Sequence, residues 1–450
     1  MMPLLRLKTT ECRVGIVGQY NAGKTVLLTS LINHLQDHDP ERFALGSPNT
    51  KIRKFEKLPC DPGWAEFPFA KHRDSLVHAG SWPEKTSDRY QYTCRFERSD
   101  WNFSDVVLKL FDLPGERVAD AAMLGRSYAD WSDHTLHHLQ SDTPYREQCL
   151  PFLQAILQLD ATEIEWIDSY KLALANLILS YKPLISPSTF LLDKTGNKAR
   201  PADAATLAKS RICGLDASKQ FTPLPPALRE TPTGKLFALH YDEYRTEIVE
   251  HFLNALRSCH ALIVMLDIPM LLAGGVGMYD DNRQMVNDLF RVLEPGESLL
   301  GTSVRHLSKL FLPREMRPSW ITRVAFVAPK LDLIHPGDRD RALHLLRRMV
   351  GKVAADRDGM SHEFFPCSAV VSTKPDEKSL IGVPLRDASG KKIAPGLEQR
   401  FTPSTVPTDW PRSWEPGEYA FPEVYPVVPR RKDCPPEQIN LDRVLTFVLG

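Results

Sequence analysis

The sequence predicts an α/β fold in which helices flank a mainly parallel sheet and a large, mostly helical insertion interrupts it. A short apolar segment, residues 12–17, runs directly into a glycine-rich loop, and apolar residues at helical spacing follow that loop. Two later runs, 261–266 and 323–327, are almost continuously apolar, which is typical of parallel strands covered on both faces. Residues 117–240 carry the apolar stripes of helices, interrupted by prolines.

The composition is that of a globular protein and narrows the range of partners. The 450 residues include 56 basic and 56 acidic side chains, so the chain lacks the basic excess of a typical nucleic-acid-binding domain. Its eight cysteines are scattered without the spacing of a metal site or a disulfide framework, which favours reduced thiols in the cytoplasm. Residues 1–10 are too short and polar for a secretory signal, and the apolar run 261–273 is too short to span a membrane. We therefore expect a cytoplasmic protein with no nucleic-acid partner and no transmembrane segment, while the basic cluster 429–432 leaves a peripheral membrane contact open.

Apolar patterns and a capping motif predict the positions of the remaining helices and strands. Alternation of apolar and polar residues over 90–96, followed by the apolar run 105–111, predicts a hairpin. Residues 40–85 show no sustained period, so we expect a long loop or a small excursion there. A capping box formed by Asp160 and Glu163 predicts the start of a helix. The other predicted helices and strands lie at 145–157, 281–293, 338–353, 363–367 and 437–449.

The glycine-rich loop matches the pattern G-x-x-x-x-G-K-[ST] at every position. Its glycines let backbone N–H groups turn towards a phosphate, and the start of the following helix adds partial positive charge. Lys24 would bridge the β- and γ-phosphates, and the Thr25 hydroxyl would ligate Mg²⁺. In this strand–loop–helix context the pattern is that of a P-loop NTPase, so we expect the nucleotide to contact Gly18, Gln19, Tyr20, Asn21, Ala22, Gly23, Lys24, Thr25 and Val26.

A second motif, DLPGE at residues 112–116, follows the apolar run 105–111. A carboxylate at the end of a strand beside the phosphate loop is placed to act as an outer-shell partner of Mg²⁺. Gly115 has no side chain to keep its backbone N–H away from the γ-phosphate. We therefore assign Asp112 to the metal site and Gly115 to the phosphate site.

The phosphate loop, the D-x-x-G motif and the hairpin between them resemble the Ras-like class of P-loop GTPases. Lys330 and Asp332, in the segment PKLD, resemble the N/T-K-x-D motif. The resemblance implies that the Lys lies over the base and that the Asp accepts hydrogen bonds from guanine N1 and N2. Ser368 and Ala369, in the segment CSA, resemble the S-A-K loop, whose backbone contacts the guanine oxygen.

The chain departs from both base motifs and also resembles a narrower family. Pro329 stands where the first motif has Asn or Thr, and Val370 stands where the second has Lys. Proline cannot supply the side-chain tie to the phosphate loop that Asn normally makes. Together with WPEKT at residues 82–86, the motifs look similar to the bacterial YcjX-like family, over most of the chain. That resemblance implies an enlarged P-loop GTPase linked to stress responses.

The class resemblance also implies a switch threonine that binds Mg²⁺ and the γ-phosphate in the triphosphate state. Thr86 is our candidate, because it lies in a polar loop just before the predicted hairpin. The expected metal site therefore consists of Thr25, Thr86 and Asp112.

The expected catalytic residues are those that neutralise charge or position the attacking water. Lys24, Thr86 and Gly115 would contact the phosphates. Glu116 stands where many Ras-like proteins carry Gln; it either accepts a hydrogen bond from the attacking water or is a solvated switch residue. Asn21 completes the pattern G-x-x-N-x-G-K, which in a subset of the class holds a K⁺ ion against the phosphates; alternatively, Asn21 only tolerates the backbone conformation of the loop.

These inferences predict an Mg²⁺-dependent GTPase that binds GTP and GDP, acts as a molecular switch and has an unidentified protein partner. Two alternatives stay open: an ATPase with the same P-loop mechanism, and an interaction scaffold that holds a nucleotide with negligible turnover. The predicted organisation is a GTPase domain in two parts, residues 1–116 and 241–370. A helical insertion, residues 117–240, separates these parts, and a C-terminal extension, residues 371–450, follows them.

Overall fold

The computed structural model describes most of the chain as alternating strands and helices. The described residues are 8–19, 21–47, 49–84, 89–100, 104–141, 143–158, 161–180, 186–191, 203–293, 321–355, 360–387, 389–429, 431 and 434–450. The strands are β1 (Lys8–Gly18), β2 (Ile52–Leu58), β3 (Ala65–Glu66), β4 (Tyr90–Arg98), β5 (Ser104–Asp112), β6 (Ala261–Met265), β7 (Arg323–Ala328), β8 (Ser361–Pro366), β9 (Lys374–Asp376), β10 (Ser379–Gly382) and β11 (Gln399–Phe401). The helices are α1 (Lys24–Gln36), α2 (Phe69–Val77), α3 (Tyr128–Ser141), α4 (Thr143–Ala155), α5 (Glu163–Ser180), α6 (Ala204–Ser210), α7 (Pro226–Arg229), α8 (Pro232–Tyr244), α9 (Glu250–Arg257), α10 (Ile268–Ala273), α11 (Gly275–Leu293), α12 (Arg339–Ala355) and α13 (Leu441–Leu449). Short 3-10 helices occur at Gly115–Met123, Ser188–Phe190, Leu331–Leu333 and Pro336–Asp338, and a π-helical turn occurs at Arg245–Val249.

The strands form a mainly parallel eight-stranded sheet, which confirms the predicted fold class. Its order is β2-β4-β5-β1-β6-β7-β8, with β3 beside β4. The strands β5, β1, β6, β7 and β8 run parallel, whereas β4 is antiparallel to both β2 and β5. Every residue of β6 is buried, as are all but the first of β7. Burial on both faces explains why these two strands were recognisable as continuous apolar runs.

The parallel register brings the carboxyl ends of the central strands to one edge of the sheet. In β1, Gly18 lies opposite Met265 of β6, and Ile16 lies opposite Asp112 of β5. The loops that follow β1, β5 and β6 therefore start side by side. Ligands of open α/β sheets bind at this kind of edge.

The region 40–85, expected to be a long loop or a small excursion, contains an edge strand and a helix. Strand β2 pairs with β4 at the edge of the sheet, with an irregularity between Arg53 and Glu56. Four of its seven residues are charged (IRKFEKL). Such a strand lacks the apolar alternation of a half-buried strand, because its position at the edge exposes it to solvent. Pairing with β4, rather than local pattern, defines it.

The C-terminal residues complete the core of the sheet-containing unit, which comprises residues 8–114, 256–276 and the described residues from 321 to 450. The predicted terminal helix is confirmed as α13. Its buried apolar side chains pack into the core cluster that also holds residues of β1 and α1; they are Leu441, Val444, Leu445, Val448 and Leu449. The strands β9–β11 form a separate antiparallel sheet in the same unit. The segment predicted as a C-terminal extension thus supplies part of this core.

A second compact unit comprises Gly115–Ala255 and the described residues from 277 to 293. It is mostly helical, as expected for the insertion, but its bounds differ from the predicted 117–240. Helix α11, which includes the helix predicted at 281–293, belongs to this unit from residue 277 onward. Within the unit, Arg126 holds α11 through an ion pair with Asp288 at 3.1 Å, which sequence periodicity could not reveal.

The capping box at the start of α5 lies two residues after the predicted one. The predicted capping box used Asp160, which lies outside the described residues, and Glu163. In the structure, the Thr162 N–H donates to Glu165 Oε2 at 2.7 Å, and the Glu165 N–H donates to the Thr162 hydroxyl at 3.3 Å. This reciprocal pair is a capping box, so the motif type is confirmed and its residues are different.

A buried polar cluster anchors the 3-10 helix that follows the D-x-x-G motif. Asp120 accepts hydrogen bonds from the Ser188 N–H at 2.7 Å, the Ser188 hydroxyl at 2.6 Å and the Tyr244 hydroxyl at 2.8 Å. The Arg117 guanidinium lies 3.7 Å from the same carboxylate. Burial raises the pKa of Asp120, because the charged form loses its hydration. The cluster joins the first turns of the helical unit to α8.

Candidate nucleotide-binding site

The phosphate loop follows β1, and its geometry explains both glycines of the pattern. A Cβ atom on Gly18 would lie 2.6 Å from the carbonyl oxygen of Met265, so a side chain there would push β6 away. Gly23 and Asn21 have φ values of 88° and 67°, in the left-handed region that Gly adopts freely and Asn tolerates. Asn21 is exposed and satisfies this backbone requirement, while its role in K⁺ binding stays a prediction. Tyr20 lies outside the described residues.

Lys24 is held against the phosphate loop by backbone carbonyls. Its Nζ donates to the carbonyl oxygens of Gly18 and Gln19 at 3.2 Å and 3.1 Å. Helix α1 begins at Lys24, and Gly23 before it has no side chain to cap the first N–H groups. An ammonium group and a helix N-terminus therefore serve the same loop, a combination suited to binding phosphate.

Three other residues of the predicted loop, Ala22, Thr25 and Val26, are buried or half-buried in the protein. Ala22 is fully buried, and its N–H donates to the Gln19 carbonyl oxygen at 3.2 Å. Thr25 and Val26 are half-buried in the first turn of α1. Val26 packs against a small apolar cluster that includes Val370. The Val370 that departs from the S-A-K pattern thus has a packing role.

The metal ligands predicted at this edge fit Mg²⁺ by their chemistry. Asp112 is fully buried at the end of β5, opposite Ile16 and therefore close in the sheet to the start of the phosphate loop. Thr25 supplies a hydroxyl in the first turn of α1. Protein sites for Mg²⁺ use hard oxygen ligands, commonly one or two carboxylates completed by substrate phosphates and water. Thr86, the third predicted ligand, lies outside the described residues.

The D-x-x-G motif crosses from the sheet-containing unit into the helical unit. Gly115 is the first residue of the 3-10 helix Gly115–Met123, where it is buried, and Glu116 after it is half-buried. Their catalytic roles stay predictions.

The two predicted base loops are joined by direct hydrogen bonds. Parallel pairing of β7 and β8 ends at Ala328 and Pro366, so the loops after them start side by side. The Ser368 hydroxyl donates to Asp332 Oδ1 at 2.5 Å, and the Asp332 N–H donates to the same hydroxyl at 2.9 Å. Ala369 accepts a hydrogen bond from the Ser30 hydroxyl of α1 at 2.6 Å. The structure therefore brings Asp332, Ser368 and Ala369 together beside α1.

The second carboxylate oxygen of Asp332 has a partner that sequence reasoning missed. Asp332 Oδ2 accepts from the N–H of Ser372 at 2.8 Å and from its hydroxyl at 2.5 Å. Asp332 is only 2% exposed. Both oxygens expected to read guanine thus bind protein donors. Ser372 lies four residues beyond Ser368, outside the S-A-K pattern, and no sequence signal marks it.

Asp267 is a second residue that sequence reasoning missed at this edge. It follows β6, is fully buried, and its Oδ2 lies 2.6 Å from the ammonium of Lys330. Its backbone N–H donates to the Gln19 side-chain oxygen at 3.0 Å. In the sequence, Asp267 stands out only as a charge inside an apolar run, which was the available signal.

Two other features are absent from the described residues. No group of three or more His, Cys, Asp or Glu side chains among them is arranged to hold a metal ion. In the same part of the chain, no helix combines the length and apolar character needed to cross a membrane.

Comparison with known proteins agrees with the geometry of this edge. The chain is 22% identical to the Ras-like GTPase YcjX of Escherichia coli (strain K12), in an alignment covering 97% of this chain and 95% of that protein. It is 23% identical to the Ras-like GTPase YcjX of Shewanella oneidensis (strain MR-1), covering 99% and 96%, respectively. The model of the YcjX-like family, DUF463, matches residues 12–450. The α/β P-loop NTPase architecture and this nearly complete match agree, and the protein belongs to the YcjX-like family.

Proposed function

We propose that this protein binds GTP together with Mg²⁺ and hydrolyses it to GDP and phosphate, acting as a nucleotide-dependent molecular switch. The observation that carries the proposal is the hydrogen-bonded pair of Asp332 and Ser368, which joins the two loops that resemble guanine-binding motifs. These loops follow strands of the same parallel sheet whose strand β1 leads into the phosphate loop. Membership of the YcjX-like family and the names of two relatives support the same class. The link to stress responses stays a prediction.

The phosphates would be bound by Lys24 and by the first N–H groups of α1. Lys24 now donates to two loop carbonyls, and it would exchange these contacts for β- and γ-phosphate oxygens of higher negative charge. Charge-assisted hydrogen bonds of this kind are roughly twice as strong as neutral ones. Backbone N–H groups at the start of α1 would contribute without any side-chain rearrangement.

The Thr25 hydroxyl would ligate the metal ion, the Asp112 carboxylate would act as its outer-shell partner, and Thr86 would be a further ligand in the triphosphate state. When bound, Mg²⁺ neutralises charge on the β- and γ-phosphates. Asp112 is fully buried at the end of β5, so it would act on the metal ion from the side of the sheet.

Hydrolysis requires a positioned water and compensation of the charge that develops on the leaving phosphate. The Gly115 N–H would contact the γ-phosphate. Glu116 would accept a hydrogen bond from the attacking water in one version of the mechanism and stay solvated in the other. Asn21 would hold K⁺ against the phosphates. Its exposed side chain on a left-handed backbone supports this role without requiring it.

The switch would act through the helical unit, which begins at Gly115. A changed contact between Gly115 and the γ-phosphate would be transmitted along the 3-10 helix Gly115–Met123, whose Asp120 binds Ser188 and Tyr244. We expect GDP and a non-hydrolysable GTP analogue to give different proteolysis patterns within residues 117–240. Identical digests would argue against coupling.

The central test is turnover by the purified protein. We expect guanine nucleotide to copurify and single-turnover GTP hydrolysis to fall at least about a hundredfold in Lys24→Ala. Lys235→Ala provides a control, since that side chain is 69% exposed in the helical unit. We also expect faster hydrolysis in K⁺ than in Na⁺, with the difference removed by Asn21→Ala. Binding of GTP without hydrolysis above the Lys24→Ala rate would support the scaffold alternative instead.

One observation favours a second candidate, an ATPase or a hydrolase with little base preference. Both carboxylate oxygens of Asp332 accept hydrogen bonds from Ser368 and Ser372. Competition between ATP and GTP would separate the candidates. Asp332→Asn should shift preference towards xanthosine nucleotides only if Asp332 reads guanine.

A further inference from the structure

Asp267 and its partners connect the phosphate loop to the first base loop. The proline at position 329 has no polar side chain, so it cannot tie the base loop to the phosphate loop. The two loops nevertheless have to keep a fixed relative position, because the phosphates and the base are covalently joined in one ligand. A shift of about 1 Å between the groups that bind such a ligand is costly.

The connection runs through two short polar contacts. Gln19, in the phosphate loop, accepts the Asp267 N–H at 3.0 Å through its side-chain oxygen. Asp267 then binds Lys330, in the base loop, with 2.6 Å between Oδ2 and Nζ. Gln19 is 1% exposed and Asp267 is 0% exposed. The low local dielectric strengthens both contacts relative to surface ones.

Asp267 is itself rigidly placed. It directly follows β6, which pairs with β1 on one side and β7 on the other. Its Oδ1 accepts the Met270 N–H at 3.0 Å and caps α10. One carboxylate oxygen therefore fixes the helix start while the other is directed to Lys330. The side chain of Lys330 is 35% exposed, so its ammonium would otherwise bind mobile water instead of a fixed carboxylate.

We propose that Asp267 is a positioning residue that holds Lys330 over the base and keeps the base loop in register with the phosphate loop through Gln19. The inference rests on the proposed GTPase function and adds to it the residue that replaces the missing tie at Pro329. Asp267 does not touch the nucleotide in this proposal; it acts through Lys330 and Gln19.

The test uses the full chain freed of nucleotide and compares binding of GDP with binding of inorganic pyrophosphate, both with Mg²⁺. Asp267→Asn keeps an oxygen to cap α10 but removes the charge that holds Lys330. We expect the variant to bind GDP about tenfold more weakly and pyrophosphate within about twofold of the wild type, because the phosphate loop is intact. Asp203→Asn, the same change at the cap of α6, should leave both affinities unchanged.

A merely structural role is separated by two further measurements. Adding Lys330→Met to Asp267→Asn should weaken GDP binding less than about twofold more, because the lysine has already lost its anchor. If Asp267→Asn does not fold, Asp267→Ser, which keeps a hydroxyl to cap α10 but has no charge to hold Lys330, should show the same selective loss of GDP binding. If the wild type binds GDP, two results would overturn the inference and leave the GTPase proposal standing. One is an equal loss of GDP and pyrophosphate binding in the variants, and the other is GDP binding by the variants that equals that of the wild type. A wild type that binds pyrophosphate but not GDP would refute the GTPase proposal and the inference with it.

Discussion

Replacing Asp120 tests how the segment after the D-x-x-G motif is held in the helical unit. Asp120→Ala removes the acceptor of three hydrogen bonds, from the Ser188 N–H, the Ser188 hydroxyl and the Tyr244 hydroxyl. Donors left unsatisfied in a buried site, together with lost hydrogen bonds to a carboxylate, should cost roughly 3–5 kcal/mol of unfolding free energy. Asp120→Asn should cost only about 1–2 kcal/mol, because its oxygen still accepts the Ser188 N–H and its NH₂ group can donate to both hydroxyls.

Hydrogen exchange followed by mass spectrometry measures this loss within the unit concerned. A loss of about 3 kcal/mol corresponds to exchange roughly a hundredfold faster in peptides covering 115–123 and 232–244. Peptides from β7, in the other unit, serve as the internal control, and Asp168→Ala, the same change on the exposed face of α5, is the control variant in the helical unit. Equal effects of Ala and Asn would mean that charge attraction to Arg117, rather than hydrogen bonding, holds the segment.

The ionisation of Asp120 gives the stability of the helical unit a pH dependence of definite sign. Burial raises the pKa of Asp120, so the folded state binds a proton in a range where the unfolded state has released it. The stability contributed by this group is therefore present at low pH and lost as the pH rises through the folded pKa. Asp120→Asn, which cannot titrate, should gain stability relative to the wild type over that range. A difference that is independent of pH would contradict the raised pKa.

Three further predictions concern the sheet-containing unit. Gly18→Ala should abolish nucleotide binding, measured by calorimetry, because its Cβ would lie 2.6 Å from a backbone oxygen of Met265; Gly351→Ala, where a Cβ meets nothing within 4 Å, should leave binding unchanged. His34 stacks on Phe43, and burial lowers its pKa to about 4, so its neutral form is favoured in the fold. In urea unfolding, the wild type should therefore lose about 3 kcal/mol of unfolding free energy between pH 6.5 and 4, and His34→Phe should not show this loss. Identical pH profiles of the two proteins would refute this. Ser372→Ala should free Asp332 Oδ2 from one hydrogen bond and raise the GDP-to-ADP affinity ratio several-fold; an unchanged ratio would mean that Asp332 does not read guanine.

Local sequence patterns predicted the elements whose own residues carry a recognisable period or motif. The strand–loop–helix unit around Gly18 and Lys24, the hairpin and the buried parallel strands each carry a period or a motif that solvent exposure imposes on the residues themselves. Strand β2 does not, because an edge strand rich in charge obtains its structure from pairing with β4. Its existence depends on a partner more than 30 residues away, as the pairing of Leu58 with Thr93 illustrates.

The residues of the candidate site also fall into predictable and unpredictable ones. The phosphate-loop residues and Asp332 could be identified because their motifs require particular residue types at fixed spacing. Asp267 and Ser372 could not, since each acts through a contact between distant segments: Asp267 with Gln19, 248 positions earlier, and Ser372 with Asp332, 40 positions earlier. Nothing in a single sequence specifies which loop a buried aspartate or serine will meet.

The packing of α13 against β1 has a consequence for synthesis of the protein on the ribosome. The Cys12 thiol donates to the Val448 carbonyl oxygen, a contact between residues 436 positions apart. At about 5–20 residues per second, roughly 20–90 seconds separate the emergence of its two partners. During that time the apolar surface of β1 and α1 that α13 later covers has no permanent neighbour. The phosphate loop between them is therefore made long before its supporting core is completed, which exposes the nascent chain to chaperones and to aggregation during that interval.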